Sequence, residues 1–144
     1  MRIRKVVAYI TRVGVGGGLE LLVFEHRDFP DAGVQVPAGT VEEGEGIGEA
    51  LLREIEEETG LPGCRVVREL AVYDWEHPET HNVHERHVFH LEAPEGVGEE
   101  WSWVETSGGA VSEDQGFVFL FRWVALDGEI DLIAGFGDYL YLIK

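Results

Sequence analysis

The segment from Arg53 to Gly60, REIEEETG, carries four glutamates within eight residues. In a helix that turns by about 100° per residue, Glu54, Glu57 and Glu58 lie on one face. Carboxylates in the last turn face the negative end of the helix dipole and repel one another, so this arrangement is unfavourable by itself. A divalent cation reverses the sign of that interaction, and hard oxygen ligands suit Mg²⁺ or Mn²⁺. The three acids are therefore candidate ligands for one of these ions.

An acidic helix face that contacts only solvent is the alternative interpretation, and the residues around the helix decide against it. The chain matches every specified position of the Nudix box with Gly39-x5-Glu45-x7-Arg53-Glu54-Ile55-x-Glu57-Glu58-x-Gly60-Leu61. On these residues the protein resembles the Nudix hydrolases, the MutT-like nucleotide pyrophosphohydrolases. Ala38 stands where many members of that family have a second glycine, which is a small departure.

The resemblance implies a catalytic role for four residues of the box. In this family the glutamates of a loop–helix–loop hold Mg²⁺ against the diphosphate of a nucleoside diphosphate linked to another moiety X. Glu57 and Glu58 look like metal ligands, and Glu54 looks like a further ligand or the general base. Arg53 looks like the residue that orients a glutamate of the box, either Glu54 or Glu45. A plain surface ion pair between Arg53 and Glu45, worth about 0–1 kcal/mol, is the other interpretation of that pair.

Three further positions of the box are expected to be structural. The resemblance implies that the backbone at Gly39 approaches the helix closely and that Glu45 ties the loop to the start of the helix. Gly60, followed by Pro62, ends the helix.

The expected reaction is hydrolysis of a phosphoanhydride bond in a nucleotide-like small molecule. Metal ions neutralise phosphate oxygens and lower the pKa of bound water, and a nearby carboxylate can accept the proton. A Nudix-fold module that binds a nucleotide without hydrolysing it is the rival hypothesis. The resemblance leaves the identity of the nucleotide open.

The composition restricts the partners of the protein. The chain has 144 residues and a formal net charge of −17, which argues against stable binding to nucleic-acid polymers or anionic membranes through electrostatics alone. The single cysteine, Cys64, excludes an intramolecular disulfide. No stretch approaches the roughly 18 apolar residues of a membrane span. We therefore expect a cytoplasmic protein with one Nudix hydrolase domain over residues 1–144.

The surrounding elements predict an α/β (α+β) fold, a Nudix-type αβα sandwich with a mixed sheet and the loop–helix–loop box. The helix is predicted over Gly44–Thr59, with Leu51, Leu52 and Ile55 toward the sheet. The final segment, Ile130–Ile143, is predicted to form a short helix. The predicted strands are Ile3–Arg12, apolar on both faces and hence central, a second strand from Leu19, Val34–Val36, Arg65–Tyr73, Glu85–Leu91, Trp101–Glu105 and Phe117–Leu126.

Two groups of residues outside the box remain open. The histidines at 77, 81, 84, 87 and 90 include a pair four residues apart, but Pro78 interrupts helical spacing and no cysteine joins them, so a zinc site is disfavoured. They are expected to be ordinary strand and loop residues, and contact of some of them with substrate phosphates is the less favoured alternative. Family members often use one more acid from outside the box, for which Glu105, Glu113 and Asp114 are the candidates.

Overall fold

The computed structural model describes residues 1–105 and 116–144 of the chain. Within these ranges one α-helix packs on a mixed sheet, and the α+β fold is confirmed. The elements are β1 (Arg2–Val13), β2 (Leu19–His26), β3 (Ala38–Thr40), α1 (Ile47–Thr59), β4 (Arg65–Glu76), β5 (Val83–Glu92), β6 (Glu100–Glu105) and β7 (Phe117–Ala125).

Strand β1 lies in the middle of the sheet, whose order is β4-β5-β1-β2-β7-β6, with β3 also paired to β1. It runs parallel to β5 and antiparallel to β2 and β3. Its segment Val6–Ile10 is at most 2% exposed, as expected for a strand that is apolar on both faces. The prediction of a central first strand is confirmed.

Helix α1 covers one face of the sheet. Leu51 and Ile55 pack against Val6, Ala8 and Ile10 of β1. The prediction that Leu52 shares this contact is wrong, because its side chain is 47% exposed.

The opposite face of the sheet is covered by the C-terminal segment. Leu140 and Ile143 pack there against Val7 and Tyr9 of β1. The prediction of a short helix over Ile130–Ile143 is wrong, because the segment forms two separate 3₁₀ turns, Ile133–Gly135 and Leu140–Leu142. The φ angles of 56° at Ala134 and 73° at Gly135 are left-handed and interrupt helical hydrogen bonding. The layer on this face of the sheet is therefore built from 3₁₀ turns, at the place where an αβα sandwich would have an α-helix.

A strand over Val34–Val36 is also a wrong prediction. Gln35 forms only an isolated bridge with Phe24, and the three-residue strand β3 begins after Pro37 and pairs with β1. Proline has no backbone N–H for a sheet ladder, so regular pairing starts beyond it. No helix of the described ranges has the length and apolarity that a membrane span requires.

Candidate active site

Arg53 connects the loop before α1 to the acids of the helix. Its Nε and Nη2 donate hydrogen bonds to the two carboxylate oxygens of Glu45 at 2.7 and 2.8 Å. Its Nη1 donates to Glu54 at 2.9 Å and to Glu57 at 3.1 Å. These charge-assisted bonds raise the pKa of Arg53, and hydrogen bonding to Arg53 lowers the pKa of Glu45 to about 2. Arg53 therefore orients both glutamates that the resemblance left as alternatives, and also Glu57.

Glu54 lies in the space that Gly39 leaves open. The Glu54 side chain is buried, and a Cβ added at Gly39 would come within 2.0 Å of its carboxylate carbon. Burial raises the pKa of Glu54, and the hydrogen bond from Arg53 opposes that effect. The absence of a side chain at Gly39 thus lets β3 lie directly against this acid.

Glu58 is held by the backbone of β3. The Ala38 N–H donates to the Glu58 carboxylate at 2.8 Å. Burial raises the pKa of Glu58 well above its usual range, with smaller contributions from the charges of Glu54 and Glu105. The side chain retains some solvent exposure, since Glu58 is half-buried by accessible surface. A carboxylate in these surroundings is one whose negative charge a cation would stabilise.

Of the three candidates for an extra acid, Glu105 at the end of β6 is the one that lies within the described residues. It is 6% exposed, and its charge raises the pKa of both Glu54 and Glu58. The other two candidates, Glu113 and Asp114, lie outside the described residues.

Two tryptophans of β6 bind the C-terminal end of α1. The Nε1 of Trp103 donates to the Glu57 carbonyl at 2.8 Å, and that of Trp101 donates to the Thr59 carbonyl at 3.0 Å. Gly60 ends the helix in the left-handed conformation, with φ of 74° and its N–H bonded to the Glu56 carbonyl. The indoles therefore satisfy the carbonyls of the turn that carries the acids, where a lysine or arginine would otherwise be expected.

We predict that Trp101→Phe destabilises the protein by about 1–2 kcal/mol, because the Thr59 carbonyl loses its donor in a partly buried position. Urea unfolding measures this difference. Trp123→Phe is the control, since the Trp123 indole donates to Gly98 at the exposed surface. Equal losses in the two variants would contradict a specific role for Trp101 at the end of the helix.

The donor chemistry of the site fits a divalent cation. Glu54, Glu57, Glu58 and Glu105 are hard oxygen donors. In the described part of the chain no three acidic, histidine or cysteine side chains already stand in a coordination geometry. Arg53 takes two of the carboxylates, so binding of an ion would require these side chains to rearrange around it.

The histidines of the 77–90 segment are divided among different surroundings. His87 lies 2.8 Å from Glu85, and His90 lies 2.9 Å from the Thr11 hydroxyl. His81 is exposed. His77 and His84 instead lie beside Trp75, with ring centroids 5.6 and 5.3 Å from the indole.

Two basic residues that the structure places near the box, Lys5 and Arg86, are not identified as candidates from the sequence. Lys5 donates to the Thr40 hydroxyl at 2.6 Å, and its charge acts on Glu54 and Glu58. Arg86 is 2% exposed and lies over the rings of Trp75 and Phe136. Lys5 has a weak sequence signal, as a charged residue next to the apolar run Val6–Ile10, whereas Arg86 lies among other polar residues of β5 and has none.

A comparison with known families decides the relationship that the box indicated. The NUDIX domain profile matches residues 1–128. The chain belongs to the Nudix family. Among curated Nudix relatives, an RNA pyrophosphohydrolase of Cereibacter sphaeroides is 32% identical over 122 residues, which cover 83% of this chain. The match spans 64% of that relative's own length.

Solved structures share the fold of this Nudix protein. A MutT NUDIX hydrolase from Burkholderia pseudomallei superposes with a TM-score of 0.67 at 24% identity, covering 100% of this chain and 99% of the other. The NUDIX domain of Shewanella oneidensis NrtR, solved in complex with ADP ribose, gives 0.66 at 15% identity, covering 99% of this chain and 84% of the other.

Proposed function

We propose that this Nudix protein is a Mg²⁺- or Mn²⁺-dependent pyrophosphohydrolase. Its substrate is a nucleoside diphosphate linked to another moiety, and it cleaves the phosphoanhydride bond between the two phosphates. The observation that supports this most is the group of carboxylates around Arg53 and β3, with Glu58 and Glu54 buried enough to raise the pKa of both. The net charge of −17 favours a small nucleotide, bound together with its metal cations, over a nucleic-acid polymer. We also propose that the reaction takes place in the cytoplasm.

The roles of the chain's own residues follow from their contacts. A bound ion supplies charge neutralisation at the phosphate oxygens and acidifies a water molecule. Glu57, Glu58 and Glu54 are the residues that would hold it. Arg53 keeps Glu54 and Glu57 on the same side of α1. Glu54 or Glu105 accepts the proton of the attacking water, since both are buried carboxylates beside the acids that would hold the ion, and burial raises the pKa of Glu54.

A substrate panel tests the proposal. Nucleoside triphosphates, nucleotide sugars, dinucleoside polyphosphates, RNA with a 5′-triphosphate and ADP-ribose share the diphosphate, and we expect Mg²⁺-dependent release of a nucleoside monophosphate or another phosphate-containing fragment from at least one of them. The 32% identical RNA pyrophosphohydrolase makes the triphosphorylated RNA end a necessary member. Tight binding of a panel member without turnover would contradict the proposed hydrolysis and support the rival hypothesis of a nucleotide-binding module.

Metal binding has a readout that does not depend on turnover. We predict that millimolar Mn²⁺ raises the melting temperature of the metal-free protein by several degrees, since an ion at 100 times its Kd stabilises the fold by about 2.7 kcal/mol. Differential scanning fluorimetry measures the shift. In Glu57→Gln it should shrink, and in Glu56→Gln it should persist because Glu56 is exposed and lies off the acid cluster. The same shift in both variants would contradict Glu57 as a ligand.

A further inference from the structure

A cavity of about 290 Å³ lies on the face of the sheet opposite α1. Lys5 of β1, Trp75 of β4, and His84 and Arg86 of β5 line it, with His77 and Phe136 from the segments that follow β4 and β7. Ligand pockets range from roughly 300 to 1,000 Å³, so this one suits a single small chemical group. Ala38 and Gly39 of β3 also line it, which places the cavity beside the strand that contacts Glu58 and Glu54.

The charged side chains that line the cavity are positive, whereas the net charge of the protein is negative. The chain has a net charge of −17, yet the side chains that line this cavity in the described residues include two cations, Lys5 and Arg86, two histidines and no carboxylate. A concave site with charges of one sign focuses the electrostatic potential on a ligand of the opposite sign. The cavity is therefore suited to an anion.

Arg86 is fixed by two aromatic rings and by hydrogen bonds from one of its three nitrogens. Its guanidinium carbon lies 4.2 Å from the ring centroids of both Trp75 and Phe136. The hydrogen bonds described for it, to the Tyr73 hydroxyl at 3.0 Å and the Ala134 carbonyl at 2.6 Å, both start from Nη1. A guanidinium has five donors in one plane, so Nε and Nη2 suit the oxygens of a phosphoryl group.

The same contacts argue against a nucleobase as the main occupant. Trp75 already stacks with Arg86 and lies among the rings of His77 and His84. The groups that this cavity offers are N–H donors of an ammonium, a guanidinium, an indole and imidazoles. Such a set binds an oxyanion better than it binds an uncharged aromatic face.

Lys5 connects the cavity to the acid cluster. Its ammonium is bound to Thr40 of β3, and burial lowers its pKa although the charges of Glu54 and Glu58 oppose this. Ala38 and Gly39 of β3 thus contact the acids and also line the cavity, so the two sites are close enough for one ligand to reach both.

We propose that this cavity binds a second phosphoryl group of the substrate, separate from the anhydride that is cleaved. As a statement about substrate, this rests on the proposed hydrolysis. The group has two possible sources: the third or a later phosphate of a polyphosphate chain, or a phosphate ester on a ribose of the substrate.

The cavity is tested first without metal or catalysis. Inorganic phosphate is titrated into the metal-free protein while the histidine ring signals are followed by NMR. We expect saturable shifts at His77 and His84, with the apparent Kd raised at least fivefold in Lys5→Gln and unchanged in His81→Gln. His81 and His87 lie outside the cavity lining and serve as internal controls. Equal shifts at all four rings would mean an adventitious ion only, and equal shifts with adenosine would mean a base pocket; each result overturns the proposal, as does no shift.

Two matched ligand pairs then identify the source. A preference for ATP over ADP, at least tenfold in KM or Kd and lost in His84→Gln, assigns the group to a polyphosphate chain. The same preference for NADP⁺ over NAD⁺ assigns it to a phosphate ester on a ribose of the substrate. If neither pair shows a preference, the cavity is not part of the substrate site. Phosphate binding without hydrolysis of any compound would leave the cavity assignment standing and refute the proposed function.

Discussion

Replacing Glu57 by glutamine is expected to lower kcat by about 10²-fold or more while the protein stays folded. Glutamine has the same shape and retains an oxygen that can accept the hydrogen bond from Arg53, which is 3.1 Å from the carboxylate. What the substitution removes is one negative charge from the group of acids that we assign to the divalent cation. The substitution should therefore weaken metal binding and slow turnover. Steady-state kinetics over a range of Mg²⁺ concentrations should show a higher metal requirement as well as a lower kcat.

The neighbouring Glu56 supplies the matched control for that experiment. Glu56→Gln makes the same chemical change one position away, on the exposed side of α1. Its kcat should stay within about twofold of the wild type, because an exposed surface charge contributes little to the site. If both variants retain full activity with an unchanged metal requirement, Glu57 is not a ligand and the assignment of the acid cluster fails.

Much of the candidate site could be predicted from the box, because its residues have fixed spacing on one helix. The resemblance implied that Arg53 orients either Glu54 or Glu45, and in the structure Arg53 donates hydrogen bonds to both. The error at Leu52 has the same origin. On a helical wheel the apolar residues span an arc of about 60–160° from Glu54, which includes Leu52 at its far edge. In the structure Glu54 itself is buried, since Gly39 admits it, so the buried arc is centred nearer Glu54 and Leu52 is left exposed.

Residues 130–143 could not be derived from local pattern because tertiary contacts determine their conformation. Arg86 donates to the carbonyl of Ala134, a residue with a φ of 56°. Isolated turns of this kind are held by partners far away in the chain. Strand β3 is similar, because three residues are too few to show a periodicity and its position depends on pairing with β1. Lys5 gains significance only from the Thr40 hydroxyl and the acids that folding brings near it.

Gly39→Ala is expected to abolish most of the activity, because among the glycines of the described residues an added Cβ makes its shortest contact at Gly39. The new Cβ would lie 2.0 Å from the carboxylate carbon of Glu54, so the Glu54 side chain must move. It then loses its bond to Arg53, and a hydrogen bond between charged groups contributes about 1.5–3 kcal/mol. We expect destabilisation of that size in chemical unfolding, together with nearly complete loss of turnover. Gly48→Ala is the control, since a Cβ at Gly48 meets nothing within 4 Å and alanine in the first turn of a helix should not reduce stability.

A double-mutant cycle separates the steric effect from a general intolerance at Gly39. If the added methyl group acts by displacing Glu54, then Gly39→Ala should cost little further stability in a Glu54→Ala background, because the atoms it meets are gone. An interaction energy of at least about 1 kcal/mol between the two substitutions is the expected result. Additive losses would show that Gly39 matters for its backbone alone, and that the position of Glu54 does not depend on the missing side chain. The expected interaction energy would explain the glycine of the box by Glu54, the acid that it admits, since Glu54 lies buried between Arg53 and β3.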